Sequence, residues 1–396
     1  MDFHKKVLDN GMTVLMEKRN LPVMSFSITN RFGGAYETSM TKGIAHFIEH
    51  LVFTGTKTRS HEEISREIEK RGGILNAFTA NEVTSFFFTL PSRHLMAGID
   101  IIADILNNPK FDSEKFEKEK KVVLEEMKMY HDNPMTDIYN KIHGNLYEKP
   151  FGEGIIGSAE SVSALKRDFV YNHFRESYNP KNFIAAAVGN GDFDEICDYL
   201  ESNFRPSAKT PEIVKISKRN SESVEERKGI DQSHFMFSFH TPLPSDKSYY
   251  DLKVLDAYLA RGMSSKLFLE IREKRGLAYA VKSSIQAENN YSNYGIYTGT
   301  TRKAIPEIKK IILKEFEKVR KMTEKDLKKA KEMLIGLREI SSEKSSDVMS
   351  SLMLEELTGD AKKYYKYNDN INSVTLDKVK EIAKLSEYST AAIVPK

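Results

Sequence analysis

The sequence has 396 residues, with 60 Lys and Arg against 57 Asp and Glu, and this near balance excludes binding to nucleic acid or to an anionic membrane through bulk charge. The length predicts two or more domains, and a hydrophobic content of 40% excludes disordered and collagen-like proteins. The single cysteine, Cys197, excludes internal disulfides and cysteine-based metal sites, and together with the lack of an apolar leader it indicates a cytoplasmic protein.

Short strand patterns alternate with longer helical patterns along the first half of the chain. Strands are predicted at Thr13–Glu17, Val23–Thr29, Phe86–Leu90 and Phe183–Val188. Helices are predicted at Gly43–Thr54, His61–Arg71, Leu95–Leu106, Ser113–Tyr130, Met135–Tyr147, Ser161–Phe174 and Phe193–Asn203.

Residues 206–228 are polar and poor in large apolar side chains, which is typical of a linker. Beyond them the alternation resumes. Strands are predicted at His234–His240, Tyr279–Ile285, Asn293–Thr298 and Thr390–Val394. Helices are predicted at Tyr249–Ala260, Ser264–Lys274, Lys303–Lys321, Glu324–Arg338, Ser346–Leu357 and Leu376–Leu385. We therefore predict one domain at 1–205 and a second at 229–396.

The two halves repeat a short motif in the same context. Glu-Lys-Arg-Gly ends at Gly72 after a helix, and the same four residues end at Gly276 after another helix, 204 residues later. The matching element order indicates an internal duplication. The expected fold class is α+β, with two homologous halves that are each an antiparallel-rich sheet packed with helices.

The segment from Gly43 to Phe53 contains the pattern His-x-x-Glu-His, formed by His46, Glu49 and His50. Residues four apart lie on the same face of a helix, so both imidazoles can reach one ion, and the glutamate projects near that face. Catalytic zinc uses histidine nitrogens as ligands, and a carboxylate beside it can take a proton from water. The apolar flanks predict that the helix is buried, where three polar side chains are costly unless a metal or hydrogen bonds compensate.

Catalytic zinc usually has three protein ligands, so a further His or carboxylate is expected elsewhere in the chain. The helix predicted at Ser113–Tyr130 offers Glu119, Glu125 and Glu126. Glu119 and Glu126 are seven residues apart and share a face, so one can bind the metal while the other orients a ligand. A solvated acidic helix is the alternative interpretation of this segment.

These residues resemble the pitrilysin family of zinc peptidases, which includes the mitochondrial processing peptidase. The resemblance extends over nearly the whole chain, because the family's flanking motifs are present as well. They are Gly33–Glu37, Gly72–Thr79, Tyr178–Pro180 and Val188–Gly189. The resemblance implies one zinc ion per chain with His46, His50 and Glu126 as ligands, since Glu126 follows His50 by the family's 76 residues. It also implies that Glu119 supports the site and that Glu49 is the general base.

The family resemblance also implies residues that bind the substrate. An Arg and a Tyr seven residues apart in the half without zinc correspond to Arg272 and Tyr279, which would bind the substrate carbonyl. The strand around Asn76, Ala77, Phe78 and Thr79 is similar to the family's edge strand, which would pair with an extended peptide.

The resemblance implies a zinc-dependent endopeptidase that acts on peptides or unfolded polypeptide segments inside an enclosed chamber. Family members of this length form two-chain assemblies in which the Arg and Tyr of one chain face the zinc of the other. We therefore expect a homodimer, with a heterodimer containing a paralogue as the alternative. Two other functions remain open: a catalytically silent, peptide-binding partner subunit, and a zinc hydrolase that does not cleave peptides.

Overall fold

The computed structural model describes residues 2–206 and 210–396, so residues 207–209 of the predicted linker lie outside the described residues. Two separate sheets are present. The first contains β1 (Asp2–Val7), β2 (Thr13–Lys18), β3 (Val23–Asn30), β4 (Ile74–Thr79), β5 (Thr84–Pro91) and β6 (Phe183–Gly189). The second contains β7 (Glu222–Arg227), β8 (Ser233–His240), β9 (Ala278–Ala287), β10 (Ser292–Thr300) and β11 (Ser389–Pro395).

The two sheets share one topology. The first runs in the order β1-β2-β6-β3-β5-β4 and the second in the order β7-β11-β8-β10-β9. Each sheet contains one parallel pair of strands, which is β2 with β6 in the first sheet and β7 with β11 in the second. From that pair to the far edge of the sheet, all neighbouring strands are antiparallel. Apart from β1, every strand of the first sheet therefore has a counterpart in the second. The expected α+β fold with two homologous, antiparallel-rich halves is confirmed.

Helices pack against both sheets. In chain order they are α1 (Ile44–Val52), α2 (His61–Glu69), α3 (Leu95–Asn107), α4 (Ser113–Asp132), α5 (Pro134–Leu146), α6 (Ala159–Ala164), α7 (Arg167–Ser177), α8 (Phe193–Asn203), α9 (Ser248–Leu259), α10 (Lys266–Phe268), α11 (Ile305–Lys318), α12 (Glu324–Ser342), α13 (Ser345–Leu357), α14 (Tyr367–Asn372) and α15 (Leu376–Ile382). None of these helices combines the length and the apolar character needed to span a membrane.

The chain forms two compact units, each built from separate segments. The first comprises Met1–Lys128, Glu153–Lys215 and Ser341–Tyr364, and the second comprises Met129–Gly152, Ile216–Ile340 and Tyr365–Lys396. Each unit has its own hydrophobic core. These units differ from the predicted continuous domains at 1–205 and 229–396, because each unit includes one helix that is encoded in the other half of the sequence.

The two exchanged helices are α5 and α13. Helix α13 packs on β6 and β3, where the hydroxyl of Ser345 lies 2.9 Å from that of Ser25. Helix α5 packs on β11 and β8, where Asn145 donates a hydrogen bond to the carbonyl of Thr390 at 2.8 Å. Both helices carry an apolar face, which predicts burial but does not specify the sheet.

Three local expectations differ from the structure. The helix predicted at Ser161–Phe174 is interrupted, because Leu165 adopts an extended conformation and places its side chain in the core. The helix predicted at Ser264–Lys274 has only α10 in regular α form and continues as a π-helical turn at Leu269–Glu273. Residues 222–227, inside the predicted linker, form β7, whose polar residues alternate between exposed and half-buried positions.

Candidate metal centre

Three polar side chains interrupt the otherwise apolar surface of α1. His46, Glu49 and His50 are half-buried. The other six residues of the helix are buried: Ile44, Ala45, Phe47, Ile48, Leu51 and Val52. Since those six residues fix the helix against the first sheet, its remaining face carries both imidazoles and the carboxylate together, as the spacing predicts.

Helix α4 brings two carboxylates to this face. Glu126 Oε2 lies 3.3 Å from His50 Nε2 and 3.8 Å from His46 Nε2. One ligand atom from each of these three residues lies within 4.8 Å of the others. Glu119 is two turns earlier, and its Oε2 lies 3.4 Å from His50 Nδ1. Glu125, the third glutamate considered, is 71% exposed and pairs with Lys128 instead.

The donor set fits zinc. Two imidazole nitrogens and one carboxylate oxygen are the ligand types that catalytic zinc sites use, and three protein ligands leave a coordination position open. A carboxylate behind a liganding imidazole fixes the orientation of its ring, and Glu119 is placed to do this for His50. His46 differs, because its Nδ1 is buried and has no hydrogen-bond partner among residues 2–206 and 210–396.

The pKa values of the two histidines and the glutamate on α1 are shifted in different directions. Burial, together with the nearby charge of His50, lowers the pKa of His46 to about 4. Burial would also lower the pKa of His50, but hydrogen bonds from Glu119 and Glu126, with the charges of Glu126 and Glu49, raise it to about 9. Burial raises the pKa of the Glu49 carboxyl above its usual range. A carboxyl with a raised pKa is better able to take a proton from water near neutral pH.

The strand with the predicted substrate-binding residues is β4, which lies at the edge of the first sheet. Thr79, its last residue, donates a hydrogen bond from Oγ1 to Glu49 Oε2 at 2.5 Å. The Ala77 amide donates to Asn76 Oδ1 at 2.8 Å, and Phe78 is 39% exposed with its ring against Phe87. The strand is therefore adjacent to the face of α1 that carries His46, Glu49 and His50.

An open cleft of about 750 Å³ lies beside the cluster. Glu49, His50 and Glu119 line it on one side, and Asn76 and Ala77 of β4 line it on another. Its volume exceeds that of any single amino-acid side chain. An extended segment lying along β4 could therefore place a side chain in this cleft, next to Glu49.

Arg272 and Tyr279, the predicted substrate-binding pair, lie together in the second unit. The Arg272 guanidinium lies 5.4 Å from the centre of the Tyr279 ring and 5.0 Å from that of Phe268, both within cation–π range. Tyr279 is 75% exposed at the start of β9. The π-helical turn that carries Arg272 is a rare conformation, and such turns are frequent at functional sites.

A second group of possible ligand atoms, from His131, Asp137 and Glu225, lies in the second unit. Arg227 contacts Asp137 at 2.5 Å and Glu225 at 2.6 Å, and Lys141 also pairs with Glu225. Because these two cations already neutralise both carboxylates, this group is an ion-pair network rather than a metal site.

The sequence interpretation missed the residue that fixes the start of α1. Glu37 accepts hydrogen bonds from the amides of Gly43 and Ala45. A signal was present, because Gly43 precedes the helix without a side chain to cap it, and an acidic residue lies six positions earlier. The hydrogen bond from Thr79 to Glu49 was also missed, since Thr79 was assigned to the substrate alone.

Two family models match the chain. The one described as "Insulinase (Peptidase family M16)" matches residues 13–159, the segment that carries His46, Glu49, His50 and Glu126. The one described as "Peptidase M16 inactive domain" matches residues 164–334, which include Arg272 and Tyr279.

Three relatives of similar length match most of the chain. A Bacillus subtilis protein, described as an uncharacterized zinc protease, is 28% identical over 98% of this chain and 97% of its own length. A protein of Rickettsia felis with the same description is 32% identical over 82% of this chain and 79% of its own length. A Mycobacterium leprae protein, also described as an uncharacterized zinc protease, is 30% identical over 99% of this chain and 91% of its own length.

Solved structures share the complete fold at lower identity. A protease from Helicobacter pylori superimposes with a TM-score of 0.92 at 21% identity, covering 100% of this chain and 99% of the other. A Pseudomonas fluorescens structure described as a peptidase M16 inactive domain has a TM-score of 0.91 at 17% identity, with coverages of 100% and 98%. Because proteins described as a protease and as an inactive domain share this fold, activity has to be argued from the site residues.

Proposed function

Because the chain belongs to the M16 (insulinase) family of peptidases, we propose that it is a zinc-dependent endopeptidase acting on peptides or unfolded polypeptide segments. The observation that carries this proposal is the convergence of His46, His50 and Glu126 around a single point, with Glu49 on the same helix face. Among the two family models, the one described as an inactive domain matches residues 164–334, which do not contain this set.

His46, His50 and Glu126 would hold one zinc ion, and Glu119 would orient His50 from behind. When bound, zinc supplies Lewis-acid catalysis at the scissile carbonyl and the attacking water. The protein's own contribution is to fix the ligands on α1 and α4, two helices whose buried faces pack into one core.

Glu49 is the general base in this proposal. Its carboxylate takes a proton from the attacking water and later delivers it to the leaving amine, which completes peptide-bond cleavage. Thr79 restricts the orientation of that carboxylate through its hydrogen bond. Burial raises the pKa of the Glu49 carboxyl, which favours the first of these transfers, from water to the carboxylate.

The substrate would bind as an added strand on β4. Pairing through main-chain groups gives affinity with limited sequence selectivity, which suits unfolded segments. The Ala77 amide would have to exchange its contact with Asn76 for one with the substrate. Side chains of the bound segment would alternate between the cleft and solvent, because the strand period is two.

We further propose that Arg272 and Tyr279 of one chain bind the substrate carbonyl at the zinc site of a second chain, in a homodimer that encloses a chamber. Both side chains can donate hydrogen bonds to a developing oxyanion. Tyr279 is 75% exposed, which leaves its side chain accessible to a bound substrate. A heterodimer with a paralogue remains the alternative assembly.

Zinc content measured together with cleavage of a mixed peptide library tests the proposed function. We expect about one zinc per chain and cleavage within peptides rather than only at their ends. Bound zinc without cleavage of any peptide would assign the chain as a silent partner subunit or as another kind of hydrolase. A chain that binds no zinc would contradict the proposal.

A further inference from the structure

A buried ion pair lies directly before α1 and takes no part in the proposed chemistry. Glu37 Oε2 lies 3.3 Å from Lys42 Nζ, and both side chains are almost completely buried. Burying two charges costs more than their attraction usually returns, so such a pair is weak evidence for stability. The contacts of the pair indicate a different role.

Glu37 caps a helix that cannot cap itself. Its Oε1 accepts a hydrogen bond from the Ala45 amide at 2.8 Å, and its Oε2 accepts one from the Gly43 amide at 3.1 Å. The first amides of a helix have no partner within the helix, and a side chain at the N-cap normally satisfies one of them. Gly43 occupies the N-cap of α1 and has no side chain, so Glu37 supplies this function from six residues away.

Further contacts hold the start of α1 in place. Lys42 Nζ donates a hydrogen bond to the Gly34 carbonyl at 2.9 Å, and the Lys42 carbonyl accepts one from Ser161 Oγ at 2.8 Å. Gly43 has a φ of 93°, and a Cβ placed on it would lie 2.6 Å from the Ile156 carbonyl oxygen. The start of α1 therefore has little freedom to shift or rotate.

The two histidines differ in the hydrogen bonds that orient their imidazole rings. His50 is oriented by Glu119, whereas His46 Nδ1 has no hydrogen-bond partner in the described part of the chain. The position of His46 thus depends on the helix backbone itself, and His46 directly follows Ala45, whose amide Glu37 binds. We propose that Glu37 is a positioning residue that sets the start of α1 and thereby places His46 for the metal, with Lys42 as its counter-charge. This inference rests on the proposed zinc site.

The test compares zinc affinity, measured by competition with a chelator, among matched variants. Glu37→Asp keeps the charge but shortens the reach of the carboxylate, so that it cannot bind both amides. The double variant Glu37→Gln with Lys42→Met removes both charges and leaves one amide without an acceptor. The matched control is Asp192→Ala, which removes the side-chain cap of α8 in the same unit.

We expect zinc affinity to fall about 10- to 100-fold in both Glu37 variants and to change less than twofold in Asp192→Ala. The absorption spectrum of the Co²⁺-substituted protein should change in the Glu37 variants only, because a displaced imidazole alters the ligand geometry. Unchanged zinc affinity and an unchanged Co²⁺ spectrum in the Glu37 variants would overturn the positioning role while leaving the proposed function intact. Failure of the unmodified protein to bind zinc would overturn both.

If neither Glu37 variant folds, amide hydrogen exchange in the unmodified protein decides the question. The Gly43 and Ala45 amides should exchange as slowly as amides in the middle of α1, because the carboxylate holds them. Exchange as fast as expected for an open first helical turn would overturn the proposal.

Discussion

Thr79 donates a hydrogen bond from Oγ1 to Glu49 Oε2 at 2.5 Å, which joins the last residue of the edge strand β4 to the carboxylate beside the two histidines. Thr79 is thus placed between the strand proposed to bind the substrate and the proposed general base. A change at this residue can therefore separate an effect on substrate binding from an effect on proton transfer.

Replacing Thr79 by Val removes the hydroxyl and keeps the shape. We expect kcat to fall about 10- to 100-fold with little change in KM, because a hydrogen bond to a charged group contributes about 1.5–3 kcal/mol. Steady-state kinetics on a fluorogenic peptide measure both constants. The control is Thr89→Val, which removes a hydroxyl on β5 that lies 2.9 Å from Ser25 Oγ. A raised KM with unchanged kcat would show that Thr79 serves the substrate instead.

Three glutamates of α4, Glu119, Glu125 and Glu126, should respond differently to the change from Glu to Gln. Glu126→Gln removes a proposed ligand, so zinc binding should be lost at micromolar concentrations. Glu119→Gln weakens only the support of His50, so zinc affinity should fall about 10- to 100-fold, and activity should recover when zinc is saturating. Glu125→Gln is the matched control and should change neither property. Equal effects of Glu119→Gln and Glu125→Gln would contradict the role of Glu119.

The stability of the first unit should depend on pH through Asp104. This buried carboxylate accepts hydrogen bonds from Thr56, Thr58 and Arg59. Burial alone would raise the pKa of Asp104, but these donors and Asn108 together hold it below its usual range. Since the folded-state pKa is depressed, the contribution to stability is present above the unfolded pKa of about 3.9 and is lost as pH falls through the lower folded value.

Asp104→Asn tests this dependence. At pH 7 the variant should be about 1–3 kcal/mol less stable than the unmodified protein, because the substitution weakens several charge-assisted hydrogen bonds. Below about pH 3.9 the difference should shrink, because Asp104 is then protonated in the unfolded chain before it is protonated in the folded protein. Urea denaturation at pH 7, 5 and 3 measures the free energy of unfolding. A difference that stays constant over this range would be inconsistent with the depressed pKa.

A homodimer with sites shared between chains makes a prediction for mixed assemblies. Glu49→Gln and Arg272→Ala should each inactivate the protein alone. When the two variants are co-expressed with different tags and the mixed dimer is purified through both, one of its two sites has all its residues intact. Such a dimer should recover about half of the unmodified activity. A mixed dimer without activity would show that Arg272 acts within its own chain or on a different partner.

The sequence predicted that His46 and His50 share one face of α1, because a spacing of four residues has a direct geometric meaning in a helix, and the structure brings the two side chains together. The choice of Glu126 over Glu119 came from the family resemblance, because both lie on the same face of α4. The duplication of the two halves was predicted from a four-residue repeat, ending at Gly72 and Gly276, together with the matching order of helices and strands.

Other features depend on contacts between distant segments, which no local pattern records. The exchange of α5 and α13 between the units is one example, because the apolar residues of a helix predict that it is buried but not which sheet it packs on. The polar sequence of β7 resembles a linker, and it becomes a strand only because β11 offers a free edge to pair with. The burial of Lys42 could not be predicted either, since a lysine is normally exposed unless a partner such as Glu37 is buried with it.

The most direct test of the proposed function is the Glu49→Gln variant, assayed for zinc content and peptide cleavage in the same preparation. The proposal predicts the same zinc content as in the unmodified protein, together with a loss of cleavage of at least about 100-fold, because only the general base is removed. A Glu49→Gln protein that contains zinc and cleaves peptides at the unmodified rate would contradict it.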